Sequence, residues 1–180
     1  NIIGEDLLIT GAGPLGLISV AICKFIRAKN IVITDINDYR LNLAKQLGAT
    51  KTINTKKDSI KNCFDELNIK HGFDVGLEMS GNGQAFNEML SSIYHGGKIV
   101  LLGLLPKSTC IDWDNIIFKG LQVRGVYGRE MYETWYKMDQ LIKSGLDLSK
   151  IITHKFPISS FDEAFKVISS GQCGKVVMEW

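Results

Sequence analysis

The stretch Glu5-Asp-Leu-Leu-Ile-Thr-Gly11-Ala-Gly13-Pro-Leu-Gly16 decides the fold of this 180-residue chain. A short apolar run leads directly into the glycine pattern, and apolar residues at helical spacing follow it. Nineteen residues after Gly16, Asp35 ends a second apolar run. The order of strand, glycine-rich turn, helix, strand and acid is typical of a dinucleotide-binding βαβ unit. The stretch therefore predicts a site for NAD near the start of the chain.

Strand and helix patterns alternate through the first 125 residues. The strand-like runs are short, apolar and rich in Val and Ile, which is typical of a parallel sheet covered by helices on both faces. Six such strands joined by helical crossovers predict an α/β Rossmann fold, a doubly wound parallel sheet with strand order 3-2-1-4-5-6. The predicted strands are 7–10, 31–35, 51–54, 73–78, 98–102 and 121–125, and the predicted helices are 14–25, 38–47, 60–67, 84–94 and 113–118.

The pattern changes after Gly125, where a longer amphipathic helical pattern begins. Ser160 and Glu163 have the spacing of a capping box, in which each side chain satisfies a backbone amide at a helix start. We therefore divide the chain into a dinucleotide-binding domain, residues 1–133, and a C-terminal helical and extended tail, residues 134–180. The predicted parts of the tail are an amphipathic helix over 131–142, an extended run over 151–156, a helix over 161–168 and an apolar stretch over 175–180.

The glycines and the acid each have a distinct predicted role. Gly11 permits a tight turn, Gly13 lets the backbone approach a diphosphate, and Gly16 lets the first helix pack closely on the first strand. Asp35 would accept hydrogen bonds from the adenosine ribose hydroxyls and repel a 2′-phosphate, which favours NAD over NADP. Arg40 lies five residues later. It can pair with Asp35, lie against the adenine or remain a solvated charge on a helix.

Further candidate ligand contacts follow the fourth, fifth and sixth strands. Ligands bind at the carboxyl ends of the strands in open parallel sheets, so the loops at these ends are candidates. Ser80 follows the fourth strand, and Leu102, Gly103 and Leu104 follow the fifth. Their backbone groups would line the adenosine and the nicotinamide ribose. Val126 and Tyr127 follow the sixth strand and would reach the nicotinamide.

Composition excludes several other classes. The net charge is +2, with Lys and Arg scattered, which does not favour nucleic acid. No apolar run approaches 18 residues, so no membrane span is expected. The four cysteines form no C-x-x-C pair and are expected to be reduced, buried or half-buried thiols of a cytoplasmic protein.

No catalytic or metal-binding residue is assigned in this chain. The cysteines and the three histidines lack the spacing of a zinc site. His154 lies in an extended segment far from the nucleotide loops in sequence, so it is expected to have a structural or interface role. The chain starts without Met, only a few residues before a buried strand, and is expected to be a fragment of a longer protein.

Several motifs together carry a family resemblance that extends over essentially the whole chain. The motifs are Gly11-Ala-Gly-Pro-Leu-Gly16, Ile33-Thr-Asp35-Ile-Asn-Asp-Tyr-Arg40, Phe73-Asp-Val-Gly-Leu-Glu-Met-Ser-Gly81, Phe118-Lys-Gly-Leu, Val126-Tyr-Gly-Arg-Glu-Met131, Glu133-Thr-Trp-Tyr-Lys-Met138, Ser144-Gly-Leu-Asp-Leu and Ile152-Thr-His. Together they resemble the threonine-oxidising members of the zinc-dependent medium-chain dehydrogenase/reductase family. By this resemblance, the segments Glu78-Met-Ser-Gly81 and Tyr127-Gly-Arg-Glu-Met131 separate this group from polyol and alcohol dehydrogenases.

The resemblance implies oxidation of L-threonine by NAD to 2-amino-3-oxobutanoate and NADH. It implies that the tail packs on a catalytic domain and that the protein is a homo-oligomer, usually a tetramer, with a dimer contact at the sixth-strand edge near residues 110–126. The catalytic and structural zinc ions of the family are bound in an amino-terminal domain that this chain does not contain, so the chain alone should bind NAD without turnover. The positions that correspond to NAD contacts are Leu15, Asp35, Arg40, Leu102, Gly103, Leu104, Val126 and Tyr127.

Three alternatives remain open on the sequence. The parent protein could be another NAD-dependent medium-chain dehydrogenase that acts on polyols or secondary alcohols. A methyltransferase that binds S-adenosylmethionine also places an acid after its second strand, although Pro14 and the third glycine fit a diphosphate better. The chain could also be a non-catalytic NAD-binding module.

Overall fold

A computed structural model of the chain describes residues 2–180, so that Asn1, the first residue of the predicted domain, lies outside the described residues. Strands and helices alternate from the first strand to the last. The elements are β1 (Asp6–Thr10), α1 (Pro14–Phe25), β2 (Asn30–Asp35), α2 (Asp38–Gln46), β3 (Lys51–Asn54), α3 (Cys63–Glu66), β4 (Phe73–Glu78), α4 (Gly83–Ser92), β5 (Ile93–Leu101), α5 (Trp113–Phe118), β6 (Gln122–Gly125), α6 (Glu133–Lys143), β7 (Ile152–Pro157), α7 (Phe161–Ser170) and β8 (Lys175–Glu179).

The main sheet has six strands in the order β3-β2-β1-β4-β5-β6, which confirms the predicted Rossmann topology. Every neighbouring pair is parallel. β1 lies at the centre, where Leu7 pairs with Ile31 of β2 on one side and with Val75 of β4 on the other. The carboxyl ends of β1, β2 and β4 therefore lie side by side, and the loops that leave them meet at one edge.

Two apolar cores cover the two faces of this sheet. Successive strand residues point to opposite faces. Leu7 and Ile9 accordingly pack with α1 and α2 in one core, while Leu8 packs with the 3-10 turn Ile60–Asn62 and with α4 in the other. All five residues of β1 are buried, which explains why its sequence lacks an alternating pattern.

The first two helices begin and end at the signals in the sequence. Pro14 occupies the first turn of α1, where its missing amide hydrogen removes no helical hydrogen bond. Asn37 caps α2 by accepting a hydrogen bond from the Arg40 amide. Gly48 follows α2 with a φ of +106°, a conformation that favours glycine.

The predicted helix over 84–94 is too long, because α4 ends at Ser92 and Ile93 is already extended. The Lys119 side chain donates hydrogen bonds to the carbonyl oxygens of Leu90, Ser91 and Ile93 at 2.8–3.0 Å. Burial of this amine lowers the pKa of Lys119. A side chain from after α5 thus satisfies the carbonyls at the end of α4, and no local sequence signal marks that end.

The last part of the chain, Ile152–Glu179, forms a separate small sheet with one helix, called the C-terminal unit below. β7 and β8 pair in parallel as a separate two-stranded sheet, and α7 connects them. Ile151, just before β7, is buried in the core that contains α1. The predicted capping box is wrong: within the described chain, no side-chain hydrogen bond caps α7, because a 3-10 turn over Ile158–Ser160 runs directly into the helix and Ser160 has a ψ of 30°.

The cysteines follow the prediction with one exception. Cys23, Cys63 and Cys173 are buried and unpaired, whereas Cys110 is exposed on the loop before α5. Burial raises the pKa values of the Cys23 and Cys63 thiols to about 11. In residues 2–180, no helix has both the length and the apolar character needed to cross a membrane.

Candidate dinucleotide site

A cleft of about 610 Å³ opens where the loops after β1, β2, β3 and β4 meet the start of α4. Of the predicted site residues, Gly11, Gly13, Asp35, Arg40 and Ser80 line this cleft together. These residues are far apart in sequence, and the parallel strand order brings them to one edge. The complete lining is Gly11, Gly13, Thr34, Asp35, Ile36, Arg40, Thr55, Lys56, Met79, Ser80, Asn82, Gln84, Ala85 and Glu88.

The three glycines of the opening motif meet different surroundings. Gly11 has a φ of +89°, and a Cβ on it would lie 2.9 Å from the Ser80 backbone. A Cβ on Gly16 would overlap the carbonyl oxygen of Gly11, so this glycine is needed for α1 to pack against the turn. A Cβ on Gly13 would have no heavy atom of the described chain within 4 Å. Gly13 therefore borders open space, which is the space that a diphosphate would need.

The amino terminus of α1 faces this space without a protein cap. Gly13 is the N-cap residue, and no side chain among residues 2–180 accepts a hydrogen bond from the first turn. In contrast, Asn37 caps α2 and Asn82 caps α4. The first amides of a helix and its dipole together attract anions. An uncapped start of a 12-residue helix beside open space is thus suited to hold phosphate groups.

Asp35 is held rigidly at the end of β2. Its Oδ2 accepts a hydrogen bond from the Ala12 amide at 2.6 Å, and its Oδ1 accepts from the amides of Ile36 and Asn37 at 2.7 and 2.9 Å. The carboxylate thereby joins the glycine-rich turn to the start of α2. Because three amides fix its orientation, it can present its remaining lone pairs to hydroxyl groups in the cleft.

Arg40 lies in the first turn of α2 and is half-buried at the side of the cleft. Of the three possibilities left open for Arg40, pairing with Asp35 is not found, since no salt bridge joins these two side chains in the part of the chain that the structure describes. Within that same part, the Arg40 Nε is buried and has no hydrogen-bond partner. A buried donor without an acceptor is costly, and a ligand that brings an acceptor would remove that cost.

Glu78 organises the loop after β4, and it is not among the site residues predicted from the sequence. Its side chain is buried, and Oε1 accepts hydrogen bonds from the Ser80 amide at 2.9 Å, the Ser80 hydroxyl at 2.5 Å and the Gly81 amide at 3.0 Å. Thr10 at the end of β1 donates to the same oxygen at 3.3 Å. Glu78 therefore fixes Ser80 at the edge of the cleft. An acid at the end of an otherwise apolar strand is the signal that could have identified it.

The remaining predicted contacts lie outside the lining of this cleft. Leu15 is 55% exposed on α1, and Leu104 is 89% exposed beyond β5. The turn over 102–104 packs against the loop after β4, because the amides of Leu102 and Gly103 both donate to the Glu78 carbonyl oxygen. Tyr127 is fully exposed beyond β6. The assignment of Leu15, Leu102, Gly103, Leu104, Val126 and Tyr127 as NAD contacts stays a prediction. The same holds for Gly16, which lies outside the lining, and for the predicted residues that line the cleft.

Two groups of lining residues were missed in the sequence. Thr55 and Lys56 directly follow β3, and the same rule that identified Ser80 at a strand end could have identified them. Asn82, Gln84 and Glu88 belong to the start and the cleft side of α4. Their position depends on how α4 packs on the sheet, which the local sequence does not reveal.

Residues 2–180 contain no group of three or more His, Cys, Asp and Glu side chains that could hold a metal ion. His154 lies in β7, where its ring stacks on Phe156 and its Nδ1 lies 2.9 Å from the Thr153 hydroxyl. These contacts are structural, and His154 does not belong to the cleft lining of the described chain.

Comparisons with known proteins agree on one protein family. The family model described as zinc-binding dehydrogenase matches residues 14–144. The chain is 57% identical over 180 residues to L-threonine 3-dehydrogenase of Chromobacterium violaceum and 57% identical to that of Stenotrophomonas maltophilia, covering 100% of this chain and 53% of each relative. The chain thus spans about half the length of the curated relatives it matches.

A solved structure supports the same assignment. L-idonate 5-dehydrogenase from Escherichia coli superposes with a TM-score of 0.85 at 25% identity, over 99% of this chain and 51% of that protein. The family match argues against the methyltransferase alternative. The glycine-rich turn, the sheet order and the match over residues 14–144 agree, and the chain belongs to the zinc-binding dehydrogenase family.

Proposed function

We propose that this chain binds NAD in the cleft and is the cofactor-binding part of an L-threonine 3-dehydrogenase. The observation that carries the NAD proposal is the uncapped start of α1 beside the open space at Gly13, with Asp35 fixed next to it. The buried, unpartnered Nε of Arg40 adds a donor that a nucleotide would satisfy. The name of the 57% identical relatives supports L-threonine as the substrate.

Each part of the cleft would hold a different part of the cofactor. The first amides of α1 would donate hydrogen bonds to the diphosphate, at the place where Gly13 leaves room. Asp35 would accept hydrogen bonds from the adenosine ribose hydroxyls and disfavour the 2′-phosphate of NADP. Arg40 would flank the adenosine. By resemblance, Leu15, Leu102, Gly103, Leu104, Val126 and Tyr127 would contact the remainder of NAD, with the last two near the nicotinamide.

The proposed reaction is L-threonine plus NAD to 2-amino-3-oxobutanoate plus NADH and a proton. When bound, NAD supplies the acceptor for the hydride that leaves the carbon bearing the threonine hydroxyl. The residues of this chain would bind the cofactor and orient it, and none of them is assigned as an acid, a base or a metal ligand. The zinc that the family name implies would be held by residues outside those described.

Another NAD-dependent polyol or alcohol dehydrogenase is the weaker candidate. The relatives that carry the threonine name are 52–57% identical, whereas L-idonate 5-dehydrogenase is 25% identical. A non-catalytic module is also less favoured, because those relatives all carry an enzyme name over the whole length of this chain.

We also propose a homo-oligomer with a dimer contact at the β6 edge, in a cytoplasmic protein. β6 is exposed throughout, and Ile117 and Phe118 of the neighbouring α5 are 68% and 77% exposed. An unpaired strand edge beside exposed apolar side chains favours pairing between chains. The four unpaired cysteines fit a reducing compartment. Packing of the 134–180 tail on a catalytic domain is a further proposal, which the exposed Phe161 and Phe165 of α7 support.

Calorimetry and a substrate panel on the full-length protein test these proposals separately. NAD should bind with at least about tenfold higher affinity than NADP, and S-adenosylmethionine should not bind. L-Threonine should give NADH absorbance, and sorbitol and 2,3-butanediol should give little. Binding of NAD without oxidation of L-threonine would refute the substrate while leaving the cofactor assignment. Failure to bind NAD would refute the cofactor assignment.

A further inference from the structure

The last turn of α7 contacts the adenosine side of the proposed site. The Asn37 Nδ2 donates a hydrogen bond to the carbonyl oxygen of Gly171 at 3.0 Å, and the two residues are 134 positions apart. Gly171 is the C-cap residue of α7 with a φ of +71°. A Cβ on Gly171 would lie 2.9 Å from Asn37 Nδ2 and 3.9 Å from Arg40 Nη2. The C-terminal unit therefore reaches the start of α2.

Asn37 is also part of the network around the cleft. Its amide donates to Asp35 Oδ1 at 2.9 Å, and its Oδ1 accepts from the Arg40 amide at 3.3 Å. Both of these neighbours line the cleft. One side chain thus uses its oxygen to cap α2 and its nitrogen to hold the end of α7, while its backbone is held by Asp35.

We infer that Asn37 is a positioning residue that couples NAD affinity to the docking of the C-terminal unit, Ile152–Glu179, through Gly171. The inference rests on the proposed NAD site. Asn37 would fix the first turn of α2, and Arg40 within that turn, only while its side chain donates the hydrogen bond to the Gly171 carbonyl oxygen. A ligand that contacts Asp35 and Arg40 would in turn favour the docked position of α7, because coupling between two sites is reciprocal.

Variants at both ends of this contact test the inference in the full-length protein. Asn37→Ser keeps a side-chain oxygen that can cap α2 but cannot reach Gly171. Gly171→Ala inserts a methyl group against Asn37 Nδ2 from the other side. Asp112→Ser is the matched control, since Asp112 caps α5 by accepting from the Asn115 amide and does not line the cleft. Circular dichroism and urea unfolding establish that each variant is folded.

The expected result is weaker binding of those ligands that contain adenosine. Each of the two variants should bind NAD and AMP about three- to tenfold more weakly, which is the range for one net hydrogen bond, and Asp112→Ser should stay within about twofold. The double variant should be no weaker than about the weaker single variant, because both changes break one contact. Binding of nicotinamide mononucleotide should not change.

Other outcomes overturn the inference. If Asn37→Ser weakens AMP binding and Gly171→Ala does not, Asn37 acts only on α2. If the losses of AMP affinity in the two single variants add up in the double variant, the two substitutions have independent effects. Unchanged affinity in Asn37→Ser would exclude a positioning role altogether. Wild-type protein that binds neither NAD nor AMP would refute the proposed cofactor site and the inference with it, whereas normal wild-type binding with unaffected variants would refute the inference alone.

Discussion

Two alanine substitutions in the glycine-rich turn should separate ligand binding from folding. At Gly13 the backbone has a φ of −66° and a ψ of 179°, which any residue adopts, and an added Cβ would point into open space. At Gly16 an added Cβ would overlap the Gly11 carbonyl oxygen. The added methyl group would thus occupy the proposed ligand space at Gly13 and overlap protein atoms at Gly16.

The magnitudes follow from these surroundings. Gly13→Ala should change the free energy of unfolding by no more than ~1 kcal/mol, because the restriction of the unfolded chain by alanine is opposed by its poorer fit at the N-cap of α1. Its affinity for NAD should fall at least about tenfold, or ~1.4 kcal/mol, because the methyl group occupies the space proposed for the diphosphate. Gly16→Ala should lose ~1–3 kcal/mol of stability from overpacking, which lowers the melting temperature by roughly 2–12 °C.

Urea unfolding followed by circular dichroism measures the first quantity, and calorimetric titration with NAD measures the second. The two variants are controls for each other, since they lie three residues apart in one motif. A Gly13→Ala protein that loses stability and keeps its NAD affinity would refute the assignment of the diphosphate site. A fully stable Gly16→Ala protein would refute the argument that α1 needs a glycine to pack on this turn.

Further predictions concern other parts of the fold. Asp35→Asn leaves one oxygen for three backbone amides, so unfolding in urea should show a loss of ~1–2 kcal/mol, and titration should show weaker NAD binding with less discrimination against NADP; an unchanged ratio would contradict the ribose assignment. Lys119→Met removes the three hydrogen bonds at the end of α4 and should cost ~1–2 kcal/mol, with faster amide exchange confined to that end; uniform exchange would argue against a local cap. At pH 8 Cys110 should react with a disulfide reagent at once, whereas Cys23 and Cys63, with pKa values raised to about 11, should react only on unfolding. Because these two thiols ionise more easily in the unfolded chain, stability should fall as the pH rises from about 9 towards 11, and a flat profile in that range would contradict their burial.

The sheet could be predicted because its signals are local. Most strands of the first 125 residues are apolar runs bounded by glycine or polar residues, the more polar β3 and β6 being the exceptions. The handedness of βαβ crossovers leaves few arrangements for such a series. The roles of Gly11 and Gly16 could also be predicted, since the turn they form lies within one βαβ unit. Asp35 and Ser80 followed from the rule that ligands lie at the carboxyl ends of the strands.

The features that could not be predicted depend on contacts between distant residues. The early end of α4 depends on Lys119, a side chain that follows the next helix. The contact of Asn37 with Gly171 joins residues that are 134 positions apart in the sequence. The capping box failed for another reason: the preceding 3-10 turn takes Ser160 out of the extended conformation that the motif requires.

The central position of β1 has a consequence for the order of assembly during synthesis. Leu7 pairs with Ile31 soon after both leave the ribosome, but its partner on the other side, Val75, is made 44 residues later. Until then, one edge of a strand whose residues are all buried in the folded protein lacks its partner, and such edges promote aggregation. A nascent chain that stalls between β3 and β4 would therefore expose an unpaired edge of β1, which could pair with other chains. In the folded protein that edge is covered by β4 rather than by a segment nearer in sequence.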